Sequence, residues 1–292
     1  MMIVTILLAA LALIGIVYGV LLLRVAMAKS QLGTGLEAIG LGAVTNFFDT
    51  LGIGSFAPTT AWLKLRKLVP DAAIPATLNA GHAIPTIVQA LVFITLVSVD
   101  PTLLAACIAA AVAGSAVGTS LVLRVPVRGV QAVVGVALLV ACAFYAMKNL
   151  GYMPDHKGTL TLAPGLFAIA VIGHFVLGAL MAFGVGLYAP SLLMLSLLGL
   201  DTAAVFPIMM GACAFLMPVT GGRMMRTDRI DLRVVIGLAI GGAPAVLLAA
   251  FVVKSLDVVV LRWGVVVVVV YAAALLLRAA LRPAAIPAPA IP

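Results

Sequence analysis

The chain has 292 residues, 65% of them hydrophobic and 9% charged, with a mean hydropathy of +1.31. So few charges cannot cover a soluble domain of this size, which excludes that class and predicts an all-α polytopic membrane protein. The net charge of +8, from 17 Lys and Arg against 9 Asp and Glu, then reads as basic loops facing anionic lipid rather than a nucleic-acid surface.

Residues 1–33 open with an apolar run that lacks a basic leader and a small-residue cleavage site, so a retained spanning helix is expected rather than a secretory signal. Further apolar segments follow near 34–63, 73–97, 102–123, 127–147, 164–198, 203–221, 233–253 and 257–281. Two of these, 34–63 and 164–198, are too long for one crossing and too short for two, and glycines interrupt both. Residues 148–163 form a loop between halves, and the Pro/Ala-rich tail 282–292 carries no span. Cys107, Cys142 and Cys213 each sit inside an apolar run without metal or redox spacing and read as small core residues.

The two long segments match each other. LGIGSFAP at 51–58 aligns with FGVGLYAP at 183–190 at an offset of 132, with four identities and three conservative changes. The same offset carries Ile74-Pro75 onto Phe206-Pro207, so 34–147 and 164–281 are predicted to be two transmembrane repeats. Basic residues set the topology. If the long segments dip in and return, thirteen Lys and Arg collect on the cytoplasmic side against Lys148, Lys157 and Lys254 outside; full crossings degrade the split to ten against six. Each repeat then holds one broken re-entrant hairpin and three transmembrane helices. An odd number of crossings inverts the second repeat relative to the first, with the N-terminus outside and the C-terminus cytoplasmic.

Broken helices at membrane depth leave backbone groups unpaired unless the break is buried or lines a cavity. After each Gly-x-Gly the chain resumes a helix with Pro58 or Pro190 in its first turn, so free N–H groups and a positive dipole end face the tip. Paired breaks of this kind predict a binding site for a small anion, built from Gly52, Ile53, Gly54 and Ser55 with Gly184, Val185, Gly186 and Tyr188. Thr59 is a further side-chain donor. A polar stripe of Asn79, His82, Thr86 and Gln89 supplies Asn79 and His82 to the wall, although such a stripe also suits interhelical hydrogen bonding. Asp49, His82 and His174 are candidates for proton coupling or gating, Asp49 equally for capping its own half-helix. Glu37 is expected at the membrane interface. Gly114 and Gly118 have the spacing for close helix packing, within a protomer or between two copies of a homodimer.

The duplicated Gly-x-Gly-…-Ala-Pro breaks, and the stretch TNFFDTLGIGSFAPTTA followed by PATLNAGHAIP, resemble the TauE/SafE sulfite exporter family over nearly the whole chain from about residue 34. The resemblance implies export of sulfite, an organosulfonate or a related small anion across the inner membrane. An anion channel, or a proton-coupled transporter of another small organic acid, is the alternative. No catalytic role is expected, since neither GxSxG nor HExxH is present, and no cofactor is indicated.

Overall fold

The computed structural model describes residues 2–52, 54–70, 73–121, 127–151, 158–181, 186–225, 230–255 and 258–281. Ile53, Gly184, Val185, Lys157 and the tail 282–292 lie outside the described residues. Twelve helices follow in order: α1 (Met2–Ala28), α2 (Leu36–Thr50), α3 (Phe56–Arg66), α4 (Ile74–Gly81), α5 (Ala83–Leu96), α6 (Pro101–Leu121), α7 (Val127–Asn149), α8 (Pro164–Met181), α9 (Tyr188–Leu197), α10 (Thr202–Met224), α11 (Leu232–Ser255) and α12 (Val258–Leu281). Among the described residues seven helical stretches are long and apolar enough to cross a membrane: Met2–Ala28, Ile74–Leu96, Pro101–Gly118, Pro164–Met181, Thr202–Met224, Leu232–Val252 and Trp263–Leu281. The protein is therefore all-helical in its described residues and membrane-embedded.

The helix limits follow from local chemistry. α4 stops at Gly81 and α5 starts at Ala83 because Pro85 has no N–H to offer the Gly81 carbonyl, and the ladder resumes with the Thr86 amide on the His82 carbonyl at 2.9 Å. α10 begins where the Asp201 carboxylate accepts the amides of Ala203 and Ala204. α1 buries Leu11, Tyr18, Leu22 and Ala26 along one seam against α5 and α10, while Ile6, Leu13, Ile16 and Val17 stay exposed as a lipid-facing surface.

α10 and the α4–α5 pair form the buried centre of the molecule, with Phe93 and Phe206 stacked at 5.5 Å between their centroids. Around them α2 packs on α11, α6 on α8, and α7 on α12. The α6–α8 crossing is a glycine contact: a Cβ at Gly114 would overlap the Phe175 carbonyl, one at Gly118 the Ala179 carbonyl, and one at Gly178 the Ala111 carbonyl. The Gly114/Gly118 spacing is thus used inside the protomer. Gly42 and Gly241 make the same backbone-to-backbone approach between α2 and α11.

Both overlong segments fold back on themselves. At the first, the Arg66 Nε at the end of α3 donates to Glu37 Oε1 at the start of α2 over 2.8 Å, and the Trp62 indole donates to the same oxygen over 3.1 Å. The Arg66 hydrogen bond holds the Glu37 carboxyl below its ordinary range at this exposed edge. At the second, the strand-like bridge of Thr159 with Leu200 joins the residues just before α8 to those just after α9, with Thr159 N–H on Gly199 O at 3.0 Å and Asp201 N–H on Thr159 O at 2.9 Å. The two ends of each segment therefore lie side by side. Because the Glu37 contact is solvent-exposed, Glu37→Gln is expected to leave the melting temperature of the purified protein within measurement error.

Candidate functional site

The first break is a turn that only glycine makes without strain. α2 ends with the Gly52 amide on the Asp49 carbonyl at 2.8 Å, after which Gly52 and Gly54 sit at φ +94° and +86°, the left-handed region. α3 then starts at Phe56, and Pro58 occupies its first turn, where an N–H would have no intrahelical acceptor. The second break repeats the plan: α8 ends at Met181, α9 starts at Tyr188, and Pro190 lies in the first turn.

The two breaks are neighbours. A Cβ on Gly52 would touch Leu192 of α9 at 3.3 Å and Phe206 of α10 at 3.9 Å. By contrast, a Cβ on Gly54 or Gly186 would meet no atom within 4 Å, so the second glycine of each pair faces open space. A buried relay connects the tips. The Ser55 amide donates to Asp49 Oδ1, Gln89 Nε2 donates to Asp49 Oδ2 at 2.9 Å and to Thr50 Oγ1 at 3.0 Å, and the Tyr188 hydroxyl donates to Gln89 Oε1. Gln89 thus bridges Tyr188, the first residue of α9, to Asp49 and Thr50 at the end of α2.

A second set of contacts flanks this relay. His82 places Nδ1 3.1 Å from Asn46 Oδ1 and Nε2 3.0 Å from Thr59 Oγ1. His174 places Nδ1 2.8 Å from the Ala170 carbonyl and Nε2 3.0 Å from Ser191 Oγ. Both imidazoles and both hydroxyls are wholly buried.

Of the residues expected at the site, Gly52, Gly54, Ser55, Thr59, His82, Asp49, Gly186 and Tyr188 gather at or next to the breaks, and His174 joins them through Ser191. Asn79 does not. Its side chain bonds back to the Pro75 carbonyl at 2.9 Å, and its own carbonyl lies against Gly221. Asn79 sits one helical turn before His82, on the side of that residue away from Gln89. The stripe is simply longer than the site, so its first member falls off the end.

Two roles also change. Tyr188 spends its only proton on Gln89 rather than presenting it to a ligand. Ser55 is engaged through its amide, because Asp49 reaches over the break and takes the position at the N-terminus of α3 that an incoming anion would occupy. No lysine or arginine among the described residues pairs with that carboxylate. Neither α3 nor α9 has a side-chain cap within its first turn, and the two poles differ in the Asp49 carboxylate that accepts the Ser55 amide just before α3. Gln89, Asn46 and Ser191 enter the site without having been expected there. Ser191 was detectable, since it lies at offset 132 from Thr59. Among the described residues no group of three or more His, Cys, Asp or Glu side chains comes together to hold a metal.

No family model matches the chain, no curated protein matches it, and no solved structure matches it.

Proposed function

We propose that this protein is a membrane transporter of a small anion, built from two inverted repeats that alternate access by rocking against each other, with sulfite or an organosulfonate as the substrate class suggested by its resemblance to the TauE/SafE exporters. The observation that carries the anion site is the pair of breaks themselves: Gly54 and Gly186 both face open space just before a helix N-terminus, in a protein otherwise packed with apolar helices. The repeat reading draws support from how the helices choose partners. Exchanging each helix for its counterpart turns the α2–α11 contact into α8–α6 and the α5–α11 contact into α10–α6, while α7–α12 and α5–α10 map onto themselves. Three crossings between hairpins that return to one level put the halves in opposite orientation in this reading, and the excess of basic residues on one side then puts the C-terminus in the cytoplasm and the protein in the inner membrane.

Because Asp49 already serves α3, the anion rests mainly on the α9 pole, on the amides of Tyr188 and Ala189 beside Gly186. Backbone dipoles neutralise an anion only in part, which permits release. An anion crossing alone would need no coupling ion for export, since the negative interior favours its outward movement by about 2.3 kcal/mol per charge at 100 mV.

Gly186 offers a clean test. It has space for a methyl group, and its φ lies outside the strained region, so Gly186→Ala is expected to fold with an unchanged melting temperature. The methyl would stand where the anion approaches the backbone. Efflux of sulfite and of short alkanesulfonates from proteoliposomes should fall at least tenfold, roughly 1.4 kcal/mol of lost binding. Unaltered efflux by the folded variant would move the site away from the second break, and absence of any anion flux by the wild type would dispose of the transporter reading.

A further inference from the structure

The fourth residue of each returning half-helix is a hydroxyl, Thr59 on α3 and Ser191 on α9, and these occupy equivalent places at the 132-residue offset. Each is hydrogen-bonded to the Nε2 of a histidine at 3.0 Å. The histidines are not equivalent by that offset. His82 comes from the α4–α5 junction, and His174 from α8, one helix earlier in its own half. The same chemical pair has been assembled twice from different parts of the repeat.

The partners of Nδ1 settle which way each hydrogen bond runs. The Ala170 carbonyl can only accept, so His174 carries its proton on Nδ1 and presents a lone pair at Nε2. Asn46 gives its amide N–H to the Gly42 carbonyl at 2.7 Å, which turns Oδ1 toward His82 and locks that ring in the same tautomer. With a lone pair at Nε2 in both rings, Thr59 and Ser191 must each donate their single hydroxyl proton to the imidazole. Neither hydroxyl then has a proton left for a ligand at the break.

We propose that the two hydroxyl–imidazole pairs are proton switches that make the protein bind its anion together with a proton. Protonation at Nε2 reverses the hydrogen bond: the ring now donates to the hydroxyl oxygen, and the hydroxyl proton is released to an anion oxygen. The proton comes from the aqueous side to which the site is open. The positive charge left on the ring offsets the charge of the anion, so a monovalent anion and its proton cross as a neutral pair. His82 and His174 are positioning residues in this scheme, acting through Thr59 and Ser191. The inference rests on the anion reading above and names its coupling.

The surroundings make the two switches unequal. The buried titratable side chains on the elements packed against α4 and α5 are Asp49 on α2, Tyr18 on α1 and Cys213 on α10. On the elements packed against α8 they are Cys107 on α6 and Tyr188 on α9, with no carboxylate. Asp49, one turn along α2 from Asn46, is a resident counter-charge for His82. His174 has none, so its proton should follow the anion more closely.

Ethanesulfonate is the suitable probe, because its own ionisation does not change between about pH 5.5 and pH 8. Its affinity for the detergent-purified protein should weaken as pH rises, approaching about tenfold per unit once the rings are mostly neutral, since only the protonated fraction is competent. Adding it to weakly buffered protein should take up protons. His174→Gln should flatten the larger part of the pH slope, His82→Gln the smaller part, and the double variant should bind weakly at every pH. Ser191→Ala and Thr59→Val should lose affinity at low pH only, which a merely structural role would not produce. Should the histidine variants fail to fold, proton uptake by the wild type decides alone. Binding with equal affinity at both ends of the range and no proton uptake would overturn the switch while leaving the anion site standing, as would a double variant that keeps the slope. Absence of ethanesulfonate, sulfite and other anion binding at every pH would remove the switch along with the reading beneath it.

Discussion

Gly114→Ala is expected to cost at least about 3 kcal/mol and to lower the melting temperature by on the order of 5 °C or more. The added Cβ would overlap the Phe175 carbonyl oxygen, and backbone cannot rotate aside as a long side chain can. Relief requires separating α6 from α8, which also pulls apart the contacts at Gly118 and Gly178 on the same crossing. Gly40→Ala in α2 is the internal control. No atom lies within 4 Å of a Cβ there, so a helix-interior alanine should be neutral or stabilising by up to about 1 kcal/mol. Thermal denaturation of the two variants in detergent tests the pair. Equal melting temperatures would mean that the α6–α8 contact relaxes without loss.

Asp49→Asn is expected to tighten anion binding, on the order of tenfold. Two unit charges several ångströms apart in a partly buried site repel by about 2 kcal/mol, and removing one of them releases that repulsion. The substituted amide oxygen can still accept the Ser55 N–H, so the turn into α3 keeps its cap. Reorienting the amides around Gln89 costs about 1 kcal/mol of stability, which sets the size of the accompanying melting shift. Titration calorimetry with ethanesulfonate reads the affinity directly. Unchanged affinity would show that the carboxyl carries no charge when the anion arrives. Tighter binding with lost transport would show that the charge is needed later in the cycle, when the anion must leave.

Much of the architecture was legible before the fold. The overlong segments, the glycine pairs and the proline after each predict two broken hairpins, and α2 ends at Thr50 with α3 starting at Phe56, while α8 ends at Met181 with α9 starting at Tyr188. At the first break the reason is local: left-handed Gly52 and Gly54 and an early proline constrain the chain regardless of its neighbours. What was not legible depends on how helices are rotated and how far along them a residue lies. The stripe from Asn79 to Gln89 marks a face correctly but does not say which members reach a break: Asn79, one turn before His82, spends its amide on the Pro75 carbonyl. The tie from Gln89 to both breaks, and that from His174 to Ser191, depends on contacts between segments far apart in sequence, for which a single chain offers no local pattern. Asp49 was open to two roles from its position alone; its bond to the Ser55 amide identifies the cap, and the charge experiment addresses the rest.

The glycine-lined crossing of α2 with α11 has a consequence for how the protein is made. α2 leaves the ribosome well before α11, so the groove into which Gly42 fits does not exist while the first half is being inserted. During that interval Asn46 and Asp49, buried in the finished molecule, face lipid or an insertion factor. The two halves are therefore obligate partners in biogenesis. Residues 1–147 produced alone should be degraded rapidly, and the same fragment made alongside residues 148–292 should persist.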